Sequence, residues 1–174
     1  MSKIIFQPFP KLQTERLHLR QLTHADEQNI LELRDNEEVL RYIERPKVRN
    51  LNGAADFIQY INNGIEKEAW FYWGIFLANR DQLIGTICLW HFNSEETETE
   101  VGYELHPDFQ GKGLMHETIK TIIDFAFHIL QVETIKAYTH SENQASIALL
   151  KKCGFHFKAE AGIYSMYILK RTNT

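Results

Sequence analysis

Absences narrow the field before any motif is read. Only two cysteines occur, Cys88 and Cys153, both inside apolar runs; they read as reduced core thiols and fit a cytoplasmic setting rather than a disulfide scaffold. No stretch approaches the roughly 20 apolar residues that cross a bilayer, and the N-terminus lacks an apolar signal core with a cleavage site. Membrane insertion and secretion are therefore not expected. Charge of one sign is not in excess either. The 19 Lys and Arg stand against 23 Asp and Glu, and the longest basic cluster, residues 41–49, is broken by Glu44 and Pro46, so the chain offers no scaffold for nucleic acid. The 8 histidines are dispersed; His116-Glu117 begins like a zinc-protease helix, but Lys120 holds the place of the second histidine, and no metal site is expected. Repeats and low-complexity linkers are lacking.

What is present suits one globular domain. The 174 residues are 44% hydrophobic and 24% charged, enough for a single core spanning residues 1–174 and too few for two comfortable ones. Residues 17–22 largely alternate apolar and polar, as a half-buried strand does. Thr23 is placed to cap a helix with Asp26 and Glu27 in its first turn and Ile30, Leu33 and Leu40 along one side, with Pro46 as its outer limit. Ala55, Ile58, Ile61 and Ile65 predict a second helix over 52–67. Residues 70–78 and 83–92 are rich in aromatic and β-branched side chains around a turn at 79–82, and predict a hairpin.

An acidic loop over 94–100 leads into a strand with Val101, Tyr103 and Leu105 on one face and Glu100, Gly102 and Glu104 on the other. Pro107-Asp108 stops it, and a helix is predicted over 111–130. A strand over 134–139, a helix over 143–153 ended by Gly154, and strands around 155–158 and 163–169 complete the order. This succession predicts an α/β (α+β) domain, with one mixed, mostly antiparallel sheet flanked by helices.

The chemistry should lie where a strand ends, the chain passes Gln110-Gly111-Lys112-Gly113, and a long helix starts. The first turn of a helix has unpaired N–H groups and a partial positive charge, and glycines let an anion approach it; a pyrophosphate suits the geometry. The alternative is that the glycines only shape a tight turn. The Walker pattern fails because Gly113 follows Lys112, and the dinucleotide fingerprint fails because His116 replaces its closing glycine.

Gln110-Gly111-Lys112-Gly113 resembles the acetyl-CoA signature of the GNAT superfamily of N-acetyltransferases. Met115 at the signature's last position, after Leu114, is similar to the branch that acetylates ribosomal-protein N-termini. Asn143, Ser146, Leu149, Leu150, Lys152, Gly154 and Phe155 resemble that family's second block, and residues 12–22, with Thr14-Glu15-Arg16-Leu17, are also similar to the branch.

The resemblance implies acetyl-CoA as co-substrate, with its pyrophosphate at Gln110, Gly111, Lys112, Gly113, Leu114 and Met115 and its pantetheine arm on main chain near Leu105, beside a splayed strand. It implies contacts from Asn143 and Ser146, although Asn143 is equally suited to cap its own helix. The acceptor would be a primary amine, on a protein N-terminus or a small molecule, and the enzyme a monomer or homodimer. Glu100, or else Glu104, is the candidate general base, unless both belong to a solvated acidic face. Leu150 stands where many members carry an acidic Tyr, which leaves Ser146, or Tyr164 in its place, to assist the departing thiolate. A non-catalytic acyl-CoA-binding module is the alternative from another class.

Overall fold

The computed structural model describes residues 4–172. Its strands are β1 (Leu12–Gln13), β2 (Leu17–Arg20), β3 (Phe71–Leu77), β4 (Gln82–Trp90), β5 (Glu98–Leu105), β6 (Thr134–His140), β7 (His156–Ala161) and β8 (Tyr164–Lys170). Its helices are α1 (Glu27–Asp35), α2 (Glu37–Leu40), α3 (Leu51–Glu66), α4 (Leu114–Asp124) and α5 (Gln144–Lys152). The strands form one 8-stranded sheet in the order β1-β2-β3-β4-β5-β6-β8-β7, antiparallel except at β5 and β6. The expected mixed sheet is thus found, with a two-residue β1 that the alternation did not reveal.

Side chains from the two faces feed two cores. On one face Trp73, Ile75, Ile87 and Val101 pack with Ile119 and Ile122 of α4 and Leu150 of α5. On the other, Tyr72, Phe76 and Cys88 meet Ile30 and Leu33 of α1 and Ile58, Ile61 and Ile65 of α3. Burying such side chains contributes roughly 1.5–3 kcal/mol each, which holds the helices to the sheet. Among the described residues no helix is long and apolar enough to cross a membrane.

Two helix boundaries differ from the periodicity, each for a local reason. The helix expected after Thr23 is two helices, because the Asn36 side chain accepts from the N–H groups of Glu38 and Val39 at 2.9 and 3.2 Å and caps a new start. The helix expected from Gly111 begins at Leu114, because Gly111 and Gly113 are left-handed, at φ 72° and 75°. Its far end widens into a π turn over Phe125–Ile129.

The feature that positions a site is where β5 and β6 part. Their parallel pairing runs only through Glu98↔Thr134, Thr99↔Ile135 and Glu100↔Lys136. Beyond it β5 stays with β4, from Trp90↔Glu100 to Gly85↔Leu105, while β6 stays with β8 as far as His140↔Tyr164. A V-shaped split opens between them.

Candidate active site

The turn at the mouth of the split is built as an anion cradle. Pro107–Phe109 make one 3-10 turn after β5, and the two left-handed glycines then swing the chain into α4. A Cβ on Gly111 would meet nothing within 4 Å, so that side of the loop is open. The first helical bond is Glu117 N–H to Gly113 O at 3.1 Å, which leaves the amides of Leu114, Met115 and His116 without an intrahelical acceptor.

Arg16, from the loop between β1 and β2, braces the turn: it donates to the Lys112 carbonyl at 3.0 Å through Nη1 and to Glu117 Oε2 at 2.7 Å through Nε. In a trans peptide the C=O and N–H point opposite ways, so the Gly113 N–H faces away from Arg16. This brace was not foreseen; the only signal for it was the Thr14-Glu15-Arg16-Leu17 run.

The side chains of the cradle do less than its backbone. Gln110 Nε2 donates to the Leu105 carbonyl at 2.9 Å. The Lys112 ammonium folds back to the Asp108 carbonyl at 2.8 Å and lies 5.5 Å from the centre of the Phe109 ring. Both shape the turn. Leu114 and Met115 are buried in the core, so main chain is what they can offer an anion.

Inside the split the open edge of β5 is defined by alternation. His106 N–H donates to Ile84 O at 2.8 Å, so even-numbered residues direct their main-chain groups to β4 and Val101, Tyr103 and Leu105 direct theirs into the split. The Leu105 carbonyl is taken by Gln110. The Val101 N–H closes the last pair with β6, so the accessible edge is the Val101 carbonyl, both main-chain groups of Tyr103 and the N–H of Leu105, a short ladder onto which an amide-bearing chain could add.

Ser146 meets this edge from the first turn of α5, and Asn143 caps that helix. Asn143 Oδ1 accepts the Ser146 N–H at 3.1 Å and caps the helix, which leaves its Nδ2 as the donor for a ligand. The Ser146 hydroxyl meets the Tyr103 hydroxyl at 2.7 Å across the split. Leu150 is fully buried, so no acid arises there. Tyr164 lies elsewhere, against His140 with ring centres 5.9 Å apart; burial and the neighbouring Glu44 carboxylate hold its hydroxyl above the ordinary range.

The two candidate carboxylates have different surroundings. Glu104 is buried and receives Arg34 Nη1 at 3.1 Å on one oxygen and Arg45 Nη2 at 2.8 Å on the other. A base needs a lone pair free to reach the amine, so Glu104 is a clasp between β5 and the α1–α3 segment rather than a proton acceptor. Burial lowers the Arg34 guanidinium from its usual range although Glu104 opposes this. Among the described residues the Glu100 carboxylate, at the base of the split, has one side-chain partner, His91, whose Nδ1 lies 2.9 Å from Oε2. The imidazole is 68% exposed and the carboxylate 18%, so His91 connects a half-buried oxygen with solvent. The sequence reading missed His91 because one histidine among dispersed ones carries no motif.

The aromatic side chains of the β3–β4 hairpin divide. Phe71 and Trp73 are core only, whereas Trp70, Trp90 and Phe92, with the core residue Tyr72 and with His91, line a cavity of about 610 Å³ under the end of α3. Trp90 lies over Gly102, where a Cβ would stand 3.5 Å from its ring, and its Nε1 is buried with no hydrogen-bond partner among the described residues.

A split parallel strand pair, a glycine cradle at the following helix and a capped helix opposite define an acyl-coenzyme A N-acyltransferase. Residues 16–156 match the acetyltransferase (GNAT) domain, and the chain belongs to the GNAT family as an acetyl-CoA-dependent N-acetyltransferase. It is 31% identical over 160 residues to YoaA of Bacillus subtilis, described as an uncharacterized N-acetyltransferase, covering 92% of this chain and 89% of that one. Its fold matches the ribosomal-protein-S5-alanine acetyltransferase of Vibrio fischeri at a TM-score of 0.80 and 19% identity, over 92% and 96% of the two chains. It also matches the spermidine N-acetyltransferase of Vibrio cholerae, solved with CoA and spermine, at 0.77 and 23%, over 90% and 96%.

Proposed function

We propose that the chain moves the acetyl group of acetyl-CoA to the α-amine of a protein N-terminus by direct attack within a ternary complex. The observation that carries this reading is the end of β5–β6 pairing at Glu100↔Lys136, which leaves an open strand edge leading from the cradle to Glu100. The amides of Gly113, Leu114 and Met115 would hold the pyrophosphate, and Val101, Tyr103 and Leu105 the pantetheine arm. Asn143 Nδ2 would bond that arm from across the split, and Ser146 would face the sulfur.

Glu100 with His91 behind it is the base. The carboxylate takes the amine proton, and the exposed imidazole hydrogen-bonded to it hands that proton to solvent. The need to lose that proton also selects the acceptor. An α-amine, at about 8, is partly neutral at physiological pH, whereas an alkylamine near 10.4 is almost wholly protonated. The structural likeness to a ribosomal-protein enzyme agrees, and the likeness to a spermidine enzyme makes a small amine the second reading.

A thiol-release assay with acetyl-CoA, N-terminal peptides and alkylamines tests the proposal. Peptides should turn over with the higher kcat/KM; spermidine outperforming every peptide would replace the acceptor class. Coenzyme A binding without turnover on any amine would leave only a binding module.

A further inference from the structure

On the opposite face of the sheet from Glu100, the Tyr103–Ser146 contact joins the open edge of β5 to the first turn of α5. Tyr103 projects to the α4 and α5 face with Val101 and Leu105, and its hydroxyl ends 2.7 Å from Ser146 Oγ. Ser146 is itself fixed, since its N–H is held by the Asn143 cap at 3.1 Å. Two hydroxyls at this distance share one hydrogen, and which of them donates decides what the other is free to do.

We propose that Tyr103 is a positioning residue, whose O–H donates to Ser146 Oγ and so directs the Ser146 O–H into the split, toward the thioester sulfur. This inference rests on the proposed acetyl transfer. Burial raises the Tyr103 hydroxyl well above its ordinary range, so it stays a neutral phenol and keeps its proton for donation. Ser146 Oγ accepts that bond on a lone pair and retains its own hydrogen. As the amine nitrogen forms its bond to the acetyl carbon and the carbon–sulfur bond breaks, the electron pair goes to sulfur. Ser146 then donates a hydrogen bond to the forming thiolate. No proton has to leave Ser146: the amine proton passes to Glu100 and His91, and the released thiolate is protonated by water. The arrangement supplies the stabilisation that the buried, apolar Leu150 cannot, from Ser146 one turn earlier on α5 and Tyr103 on β5.

The test is a double-mutant cycle of Tyr103→Phe and Ser146→Ala, read as kcat and as KM for acetyl-CoA. Each single variant should lose about tenfold in kcat, about 1.4 kcal/mol, with KM unchanged, and the double variant should lose no more than either. A Tyr103→Phe enzyme with full kcat, a rise in KM alone, or losses that multiply in the double variant would each overturn the inference. Phe keeps the ring and its packing. If melting nonetheless shows Tyr103→Phe to be unfolded, Ser146→Thr must recover most of the turnover lost in Ser146→Ala, and failure to do so overturns the inference. A wild-type chain that releases no thiol with any amine refutes the acetyl-transfer reading and this one with it, whereas an active wild type with the wrong cycle refutes this one alone.

Discussion

The two faces of the sheet beside the split are made from different materials. On the proposed cofactor side, apart from Asn143 and Ser146, the groups offered to a ligand are main-chain ones from one continuous stretch, residues 101–116, set by strand alternation and two left-handed glycines. On the acceptor side the work is done by side chains brought from far apart: Arg34 on α1, Arg45 beyond α2, Glu104 on β5, and Glu100 with His91 of β4's end. Backbone amides cannot be removed by substitution and bind a group common to every reaction of the class. Side chains can be exchanged one at a time, which suits the half of the site that chooses an acceptor.

The comparison breaks most visibly at the Glu104 clasp. Glu104→Ala leaves two guanidiniums, each 12% exposed, without their shared carboxylate. Uncompensated buried charge of this kind costs about 3–5 kcal/mol, so the variant should unfold at markedly lower denaturant. Its affinity for coenzyme A, measured where it remains folded, should change little. Equal losses in stability and cofactor affinity would mean that the two sides are one mechanical unit.

Next in size is the base. Glu100→Gln keeps the shape and removes the proton acceptor, and kcat should fall about 100-fold while the coenzyme A dissociation constant stays constant. An unchanged rate would assign deprotonation to water. Within the cradle, Gly113→Val places a β-branched residue at φ 75°. The strain of about 1–2 kcal/mol should weaken coenzyme A binding roughly tenfold. The nearest protein atom to the new Cβ is Arg16 Nη2 at 3.6 Å, so stability should suffer less than from Glu104→Ala.

The same division explains what could be read before the structure. The cradle, the strand order and the Asn143 to Gly154 block are local in sequence, and glycines and caps announce them. The Glu104 clasp spans 70 residues to Arg34, and nothing at either end marks it. Glu100 was preferred to Glu104 as the candidate base, but nothing on their shared strand face told their surroundings apart; the guanidiniums of Arg34 and Arg45 that hold Glu104 do. Tyr103 was assigned to an apolar face correctly, yet its hydroxyl reaches Ser146, because an aromatic body buries while its polar tip seeks a partner.

The smallest expected effect concerns Arg16, the one side chain from outside the cradle that orients it. Arg16→Ala frees the Lys112 carbonyl and leaves the Glu117 carboxylate only its bonds from the Thr14 hydroxyl and the main-chain N–H of residue 16. Because the Arg16 side chain is 46% exposed, a two- to threefold loss of coenzyme A affinity is expected, on the order of 0.5 kcal/mol, the range of exposed ion pairs. The loss should shrink in high salt. Acid gives the sharper check. Burial pushes the Glu117 carboxyl up, but the Thr14 hydroxyl and Arg16 together outweigh it and hold the group below its ordinary value. A depressed folded value means that the brace is fully present above the ordinary carboxylate range, about 4.3, and is lost as pH falls through the lower folded value. The affinities of wild type and Arg16→Ala should therefore differ by a constant ratio at neutral pH and converge only below about pH 4. Convergence already at pH 6 would implicate a histidine, His116 being the nearest in sequence to the brace, and would make the cradle's geometry depend on a side chain after all.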